Sequence, residues 1–433
     1  MKNYQHFTQE LDDFSKKIEF GNSIEEEDKV LLYEYLNGRA SKELEKRISP
    51  QTIAKHGIYF TPPELAQITT KPLLKNLNFA GIKIFDPTCG VADLLLQFCN
   101  KLPFSNDLTK TLNFWGESLM GFDLHQELID VAKWRLVLKA ISLGAKLRQN
   151  EKLDFNNLFP RLVKQDIRFW KGKISPNTIV VMNPPFNQHT ISKNITWSTG
   201  KTSYAAYFLD IVLKKSVPDT IIAAILPDVL RSGTRYHNWR DEVQNVMSIH
   251  DIDIFGLFSL STDVDVFILR GIALKKQKKT TAYFYKRNNE LKTIGQISRV
   301  NIGQVVPFRL TGKGNWMPYL TAKDFKTSEI VSSINKRIRF VGSGIKPPFV
   351  AIKRTSNPKD HLRIIPCIVK GNKNIAVENH IIIIKPLDGT IRTCKKIVSN
   401  LLNEQTKVWM NNRIRCRHLT ALSIKELPIW ESK

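Results

Sequence analysis

Short apolar runs alternate with longer amphipathic stretches between residues 80 and 275. Apolar residues recur at helical spacing most clearly over 123–141 and 204–215. This alternation is typical of a mostly parallel sheet with helices on both faces, whose ligands bind at the carboxyl ends of the strands. The apolar runs predict strands over 82–85, 119–122, 178–182, 220–226 and 264–269.

Two further regions flank this one. Apolar residues at helical spacing among many charges predict two helices over 7–20 and 24–48, which we expect to form a packing arm. From about residue 295 the helical period fades, and β-rich runs such as 348–352 and 380–384 follow. The expected organisation is therefore a helical N-terminal arm over 1–50, an α/β domain over 51–290 and an α+β domain over 291–433.

The charge balance of the chain is strongly basic. Its 433 residues include 65 Lys and Arg against 40 Asp and Glu, for a formal net charge of +25. Residues 301–433 alone hold 24 Lys and Arg against 8 Asp and Glu. Such an excess indicates a polyanionic partner, and nucleic acid is the leading candidate because phosphate neutralisation releases counterions. The alternative is a general aid to solubility.

The cysteines and the apolar runs bear on compartment and on metal. None of the five cysteines forms a C-x-x-C pair, so we expect no zinc site and a reducing compartment. Residues 1–20 lack the apolar centre of a signal peptide, and no apolar run approaches the ~20 residues of a membrane helix. The expectation is a cytoplasmic protein with no membrane partner and no metal.

The strongest chemical signal is the run Asn183-Pro184-Pro185-Phe186 directly after the predicted strand 178–182. The exocyclic amine of an aromatic base is a poor nucleophile because its lone pair is delocalised into the ring. The Asn183 carboxamide oxygen and the Pro184 carbonyl could each accept one N–H of that amine and aim its lone pair at a methyl donor. Phe186 could stack on the base. The alternative is an ordinary turn after a strand, since a short motif needs structural context.

Acidic residues follow two other predicted strands, and a third acidic residue lies in the turn 165–167. Asp86 opens the small-residue loop 86–92, which would let a ligand approach the backbone, and its carboxylate could orient a ligand ammonium. Asp123 could accept from both ribose hydroxyls of a nucleoside or could cap the following helix. Asp166 could accept from an adenine amine or be a loop carboxylate. Each of these residues alone leaves both interpretations open.

Taken in order, these motifs resemble those of N6-adenine DNA methyltransferases of the amino-terminal, or gamma, class. That class includes the TaqI-like enzymes and the methylation subunits of type I restriction systems. The resemblance covers residues 56–270 well and 300–433 loosely. It implies a Rossmann-like seven-stranded mixed sheet, the fold of class I S-adenosylmethionine-dependent methyltransferases, with a C-terminal α+β target-recognition domain. It further implies S-adenosylmethionine as cofactor and a flipped-out adenine of double-stranded DNA as substrate.

The resemblance also implies roles for individual residues. Thr61, in the segment 56–63, would hold the methionine part of the cofactor, and Phe258, or alternatively Phe255, would stack on the target base opposite Phe186. The alternative for both phenylalanines is a place in the core. The cofactor residues implied by the resemblance are Thr61, Asp86, Thr88, Gly90, Asp123, Leu124, Asp166 and Ile167.

Two positions depart from the family pattern. Ala92 replaces the second glycine of the loop, which is tolerable if its φ is negative. Phe186 replaces the commoner tyrosine, and stacking does not need the hydroxyl. In the C-terminal region, Arg413, Arg415 and Arg417 could contact phosphates or guanines, or could belong to a solvated basic face.

The expected activity is site-specific methylation of adenine N6, within a restriction-modification or related defence system. No endonuclease motif is evident, so cleavage would need a separate restriction endonuclease. The alternatives are an RNA adenine or guanine methyltransferase, a protein-glutamine N-methyltransferase, and a non-enzymatic DNA-binding module. Pro366-Cys367 and Glu378-Asn379 resemble motifs of C5-cytosine methyltransferases, but they lie far downstream of the cofactor loop and are set aside.

Overall fold

The chain forms two compact units, Met1–Pro227 with Asn238–Ala282, and Asp228–His237 with Tyr283–Lys433. The computed structural model describes residues 4–19, 25–49, 51–53, 57–75, 81–190, 195–259, 262–274, 284 and 291–430. The domain boundary expected between 290 and 291 therefore falls at the edge of the described residues, with residue 290 outside them. His56, the first residue of the segment that resembles the family, also lies outside them.

A seven-stranded sheet forms the centre of the first unit, in the order β3-β2-β1-β4-β7-β9-β8. Its neighbours pair in parallel except at β9, which runs antiparallel to both β7 and β8. The mixed seven-stranded fold is thereby confirmed. The strands of this unit, including the separate hairpin β5–β6, are β1 (Lys83–Asp86), β2 (Leu119–Asp123), β3 (Leu162–Lys164), β4 (Thr178–Met182), β5 (Gln188–Thr190), β6 (Lys201–Ser203), β7 (Ile221–Pro227), β8 (Met247–Leu257) and β9 (Asp265–Ala273).

The five predicted strands correspond to β1, β2, β4, β7 and β9. Every residue of β4 is buried, because both faces of a central parallel strand are covered, and this explains its unbroken apolar run. The sequence gives a weaker signal for β3, which is three residues long, and for β8, where exposed polar residues interrupt the apolar ones. Both lie at the edges of the sheet, where one side of the strand needs no partner.

Helices pack around the sheet and include the N-terminal arm. The predicted helix over 24–48 is wrong as a single element, because the chain breaks at Gly38, whose φ is +87°. The loop after β1 leads into a short 3-10 helix, Leu95–Phe98. The α-helices of this unit are Gln5–Ile18, Glu26–Leu36, Arg39–Arg47, Pro63–Thr70, Leu108–Ser118, Gln126–Ser142 and Tyr204–Lys215. The helix His237–Val246 also belongs to it, apart from its first residue, because the first unit resumes at Asn238.

The loop after β1 takes an unusual backbone path. Ala92 has φ +68°, so the condition of a negative φ is not met, and alanine adopts the left-handed conformation here. A left-handed residue with a Cβ costs roughly 1–2 kcal/mol, which the surrounding packing must offset. Ala92 is fully buried, and its N–H donates to the carbonyl of Cys89.

The guanidinium of Arg135 joins the N-terminal helices to this loop. It is fully buried and donates to the carbonyl oxygens of Tyr35 (2.9 Å), Leu36 (2.9 Å) and Val91 (2.5 Å). It also pairs with the carboxylate of Asp93 at 2.8 Å. A buried charge with this many partners is fully compensated, and its loss would leave several acceptors without donors.

The second unit contains a five-stranded sheet, order β10-β17-β14-β15-β12, and a three-stranded sheet, order β13-β11-β16. The predicted β-rich runs 348–352 and 380–384 correspond to β14 and β17. The strands are β10 (Ser298–Ile302), β11 (Asn315–Leu320), β12 (Ile330–Val331), β13 (Arg337–Phe340), β14 (Phe349–Lys353), β15 (Pro366–Val369), β16 (Ala376–Val377) and β17 (Ile381–Pro386).

Both faces of the five-stranded sheet are covered. Ile382 and Ile384 of β17 face one apolar cluster, and Ile381 and Ile383 face another. This two-sided burial explains why β17 is a continuous apolar run without alternation. The expected α+β character is confirmed, although the sequence analysis placed no individual helix here. The helices of this unit are Asp228–Ser232, Ile294–Ile297, Ile391–Leu401, Glu404–Arg413 and Ala421–Lys425.

Within the described residues, no helix combines the length and the apolar character that crossing a bilayer requires.

Arg135→Met should lower the free energy of unfolding by about 3–5 kcal/mol, because it removes a buried charge and leaves Asp93 and three carbonyls without their donor. Urea unfolding followed by circular dichroism measures this change. The matched control is Arg148→Met, since Arg148 pairs with Asp107 but is more than half exposed. That control should change the free energy by less than about 1 kcal/mol. Equal effects of the two substitutions would contradict the anchoring role.

Candidate active site

The carboxyl ends of three adjacent parallel strands meet at one edge of the first unit's sheet. Asp86 ends β1, Asp123 ends β2, and Asn183 directly follows β4. Because β1 lies between β2 and β4, the three residues are neighbours in space. A pocket opens there, lined by Gly57, Ile58, Tyr59, Phe60, Pro87, Thr88, Gly90, Phe122, Asp123, Leu124, His125, Leu128, Gln165, Asp166, Ile167, Asn183, Pro185 and Phe208.

Much of the predicted cofactor and catalytic set lines this one pocket. The predicted residues on its wall are Thr88, Gly90, Asp123, Leu124, Asp166, Ile167, Asn183 and Pro185. Sequence reasoning missed Phe122 and Phe208. It named the segment 56–63 but carried over only Thr61 from it, whereas residues 57–60 line the pocket. Phe208 gave only the signal of a buried helix position.

The carboxyl group of Asp86 lies behind the pocket wall. Its side chain is buried, and the backbone N–H and hydroxyl of Thr88 donate to its Oδ1 at 2.9 and 3.3 Å. Burial raises the pKa of Asp86 to about 8, although the hydrogen bonds from Thr88 act in the opposite direction. A cationic group that approached this carboxyl would therefore shift it to the ionised form.

Asp123 shapes the turn between β2 and the next helix. Its Oδ1 accepts the backbone N–H of His125 at 2.8 Å, and His125 directly precedes the helix Gln126–Ser142. His125 is the capping residue of that helix, so the helix-cap alternative for Asp123 is wrong. Burial raises the pKa of Asp123 to about 6, opposed by backbone N–H groups that include that of Gly90. The carboxyl group is available at the pocket wall as an acceptor.

The carboxylate of Asp166 is already paired. Arg168 donates to both of its oxygens through Nε at 2.9 Å and through Nη2 at 2.6 Å. Asp166 lines the pocket with its charge neutralised, and neighbouring Ile167 is almost fully buried. Its predicted role toward an adenine amine stays a prediction.

The carboxamide of Asn183 is held by its NH₂ group. Nδ2 donates to the carbonyl oxygen of Tyr59 at 3.2 Å and to the hydroxyl of Thr61 at 3.0 Å. Because a carbonyl can only accept, the contact with Tyr59 fixes which end of the amide faces this segment. The opposite atom, Oδ1, is buried and has no hydrogen-bond partner among the described residues. A buried acceptor without a donor costs about 1–3 kcal/mol, so an N–H that reached this oxygen would stabilise the site.

The turn that carries Asn183 packs closely on the segment before Thr61. Gly57 has φ +67°, and a Cβ on it would lie 2.8 Å from the Cβ of Pro185. Only glycine satisfies both constraints, so Gly57 is a structural residue of the site that sequence reasoning missed. Pro184 is buried between these elements.

Three aromatic rings meet beside the turn. The rings of Tyr59 and Phe186 are nearly parallel, with centroids 6.4 Å apart. Phe258 meets Phe186 edge-on at 5.2 Å and is 3% exposed. In this arrangement the two phenylalanines are in contact, so no base lies between them, and the predicted stacking requires one ring to move. Phe255 is half-buried and packs against the core.

Two further sequence interpretations concern residues outside this pocket. Cys367, which the sequence analysis set aside, is fully buried in β15. Arg413 is 3% exposed and pairs with Glu426 at 2.7 Å, so the prediction that it contacts DNA does not fit its burial. Arg415 is half-buried, and Arg417 is exposed.

Comparison with known proteins gives one family and several relatives. The chain is 20% identical over 420 residues to modification methylase CviBIII of Paramecium bursaria Chlorella virus NC1A, covering 90% of this chain and 98% of that protein. It is 33% identical over 136 residues to type II methyltransferase M.BanIII of Aneurinibacillus aneurinilyticus, covering 30% of this chain but only 22% of that protein. The solved type IIG restriction endonuclease BpuSI is 13% identical, with a TM-score of 0.45, covering 90% of this chain and 61% of that chain.

The match to a family model extends well beyond the residues that line the pocket. It is the model of the N-6 DNA methylases, and it matches residues 32–304, which include the turn at Asn183, the loop after β1 and the N-terminal helix Arg39–Arg47. The resemblance found in the sequence is thereby confirmed: the chain belongs to the N-6 DNA methylase family.

Proposed function

We propose that this chain transfers a methyl group from S-adenosylmethionine to the N6 amine of adenine in double-stranded DNA. The observation that carries the proposal is the Asn183 carboxamide, whose NH₂ is held by Tyr59 and Thr61 while its buried Oδ1 has no partner in the described part of the chain. An aromatic amine supplies the donor that this oxygen lacks. Family membership supports the same conclusion.

The residues of the pocket fit S-adenosylmethionine. Asp123 would accept from the ribose hydroxyls, Ile167 would pack against the adenine ring, and the backbone at Thr88 and Gly90 leaves room for the amino acid part. Asp86 would balance the ammonium, directly or through water. When bound, the sulfonium supplies a methyl carbon that is open to attack by a nucleophile.

The chain's own contribution to catalysis is positioning. Asn183 Oδ1 and the Pro184 carbonyl each accept one N–H of the target amine, which directs the nitrogen lone pair toward the methyl carbon. As the nitrogen–carbon bond forms, the carbon–sulfur bond breaks, its electron pair stays on sulfur, and the amine later releases one proton to water. Phe186 and Tyr59 present aromatic rings beside this position.

Duplex DNA is proposed as the substrate because the second unit carries most of the basic excess. Base pairing hides N6 of adenine, so the nucleotide must rotate out of the helix, at a cost of a few kcal/mol. We propose the second unit as the target-recognition domain, and a separate restriction endonuclease as a possible partner. The family match does not favour the RNA, protein-glutamine and non-enzymatic alternatives. Methylation assays with duplex DNA, RNA and a glutamine peptide compare the proposed substrate with those of the RNA and protein-glutamine alternatives.

Asn183→Ala should lower kcat for DNA methylation at least about 100-fold, because an acceptor aimed at the reacting amine is lost. Duplex binding, measured by fluorescence anisotropy, should stay within about twofold. Asn157→Ala is the matched control, since that carboxamide is exposed and donates to nearby Asp154. Near-normal turnover of the Asn183 variant would contradict the proposed mechanism.

Thr61→Val should lower kcat about tenfold, because it removes one of the two acceptors that orient Asn183. The dissociation constant for S-adenosylmethionine, from isothermal titration calorimetry, should change little, and Thr61→Ser should restore turnover. The role implied by the family resemblance differs, since a residue that holds the methionine part would weaken cofactor binding when replaced. A raised dissociation constant with unchanged kcat would therefore favour that role over positioning.

Asp86→Asn should weaken cofactor binding about tenfold. It should also reduce the change of the free energy of unfolding with pH. Folded Asp86 keeps its proton up to about pH 8, whereas an unfolded aspartate loses it near pH 4. Folding therefore takes up a proton in this window, and the free energy of unfolding falls as pH rises from 4 to 8. Urea unfolding at several pH values compares the two proteins, and an identical slope would contradict the assigned environment of Asp86.

A further inference from the structure

Strands β11 and β13 of the second unit present two different faces. Their antiparallel register places Trp316 opposite Arg339 and Pro318 opposite Arg337. Residues directly opposite each other, and those two positions along, share a face of the sheet. The other face carries the half-buried side chains that pack on a small apolar cluster, namely Met317, Ile338 and Phe340.

The outer face places a large aromatic ring in solvent beside two guanidinium groups. Trp316 is 57% exposed although its strand has an apolar cluster available on the opposite face. The guanidinium of Arg339 lies over the Trp316 ring at 5.5 Å from its centroid. Arg337, on the same face, is also exposed. An exposed tryptophan flanked by arginines is typical of a binding surface rather than of a core.

The segment that leads directly into β11 is also exposed. Every residue from 307 to 316 is exposed, and Phe308 is 83% exposed. Arg309 lies over the Phe308 ring at 5.6 Å from its centroid. The same arrangement, an exposed aromatic ring with an arginine over it, thus occurs at Phe308 and at Trp316. We name the residues Phe308, Arg309, Trp316, Arg337 and Arg339 the Trp316 face.

The charge around the Trp316 face has a single sign along the chain. The stretches 291–323 and 330–359 contain no Asp or Glu, whereas they contain Arg309, Lys313, Lys336, Arg337 and Arg339. These cations therefore have no carboxylate close to them in sequence. A surface of this kind is complementary to phosphates, and its aromatic rings can contact bases or sugars.

We propose that the Trp316 face is the principal DNA-contacting surface of the second unit, with duplex DNA as its occupant. Arg337 and Arg339 bind phosphates or guanine edges, and Trp316 and Phe308 pack against the exposed sugars and bases of the groove. This inference rests on the proposed function. It moves the contact away from Arg413, which is buried in an ion pair.

Protection of a sheet edge explains only part of this surface. Among the described strands, β13 pairs with β11 alone, and charged residues on an edge strand prevent pairing with other chains. That role accounts for Arg337 and Arg339. It does not account for Trp316 on the central strand of this sheet or for Phe308 in the turn, both of which would add to the risk of aggregation.

The first test compares two double variants of the full chain with equal loss of charge. Arg337→Ser/Arg339→Ser removes two cations of the Trp316 face, and Arg392→Ser/Lys395→Ser removes two exposed cations of the helix Ile391–Leu401 in the same unit. Fluorescence anisotropy with a labelled duplex at several salt concentrations should show that only the first variant binds about tenfold more weakly. Its slope of log Kd against log salt should fall by about 2. Equal behaviour of the two variants overturns the inference.

The second test concerns the aromatic ring. Trp316→Ala should weaken duplex binding about tenfold, and Trp316→Phe should recover most of the loss. Tyr33→Ala is the control, since Tyr33 is 68% exposed on a helix of the other unit. Thermal unfolding midpoints close to that of the unaltered protein show that each variant is folded. Binding by Trp316→Ala equal to that of the control overturns the inference.

The experiments distinguish failure of the proposed function from failure of the assignment of the Trp316 face. If the unaltered protein methylates duplex DNA while the Trp316-face variants match their controls, the assignment of this surface is wrong and the proposed function stands. If the unaltered protein neither binds nor methylates duplex DNA, the proposed function fails and this inference fails with it.

Discussion

The hydrogen bonds from Asn183 Nδ2 to Tyr59 and Thr61 fix the orientation of the carboxamide on which the proposed chemistry of the first unit depends. An amide can present either its oxygen or its nitrogen to a ligand, and only the oxygen can accept from an amine. By engaging the nitrogen, the segment 57–61 leaves the oxygen without a donor among the described residues. The close packing of Gly57 on Pro185 holds the same two elements together. Methyl transfer as proposed depends on this orientation, because the Asn183 oxygen and the Pro184 carbonyl are the two acceptors that direct the amine.

Burial around the strand ends serves the same purpose. The fully buried Arg135 ties the loop after β1 to the N-terminal helices, so the backbone beside Asp86 and Gly90 is held from behind. The same burial raises the pKa of Asp86 to about 8 and that of Asp123 to about 6. The site thus combines a rigid frame with acidic groups that gain from a cationic or hydrogen-bonding ligand. The N-terminal helices, expected as an arm, contribute directly to that frame.

The second unit separates its apolar and charged residues by the alternation of a strand. One face of β11 and β13 packs inward, and the other presents Trp316 with two arginines. The absence of Asp and Glu from the neighbouring sequence agrees with the proposal that these cations contact DNA. The basic excess of the C-terminal region, visible in composition, thereby becomes a defined surface. Arg413 shows the converse, because its guanidinium is consumed inside the unit by Glu426.

The strands of the central sheet and the polar residues at their ends can be predicted from the amino-acid sequence, since a buried strand needs a continuous apolar run and a ligand-binding loop follows its carboxyl end. These signals placed β1, β2, β4, β7 and β9 and indicated Asp86, Asp123 and Asn183 as candidate site residues. They did not reveal the break at Gly38 or the left-handed Ala92, because a single φ angle leaves no periodic signal. The orientation of Asn183, the contact of Phe258 with Phe186 and the burial of Arg413 are set only when the chain folds. Each depends on a partner that folding brings near, such as Tyr59, which lies 124 residues from Asn183 along the chain.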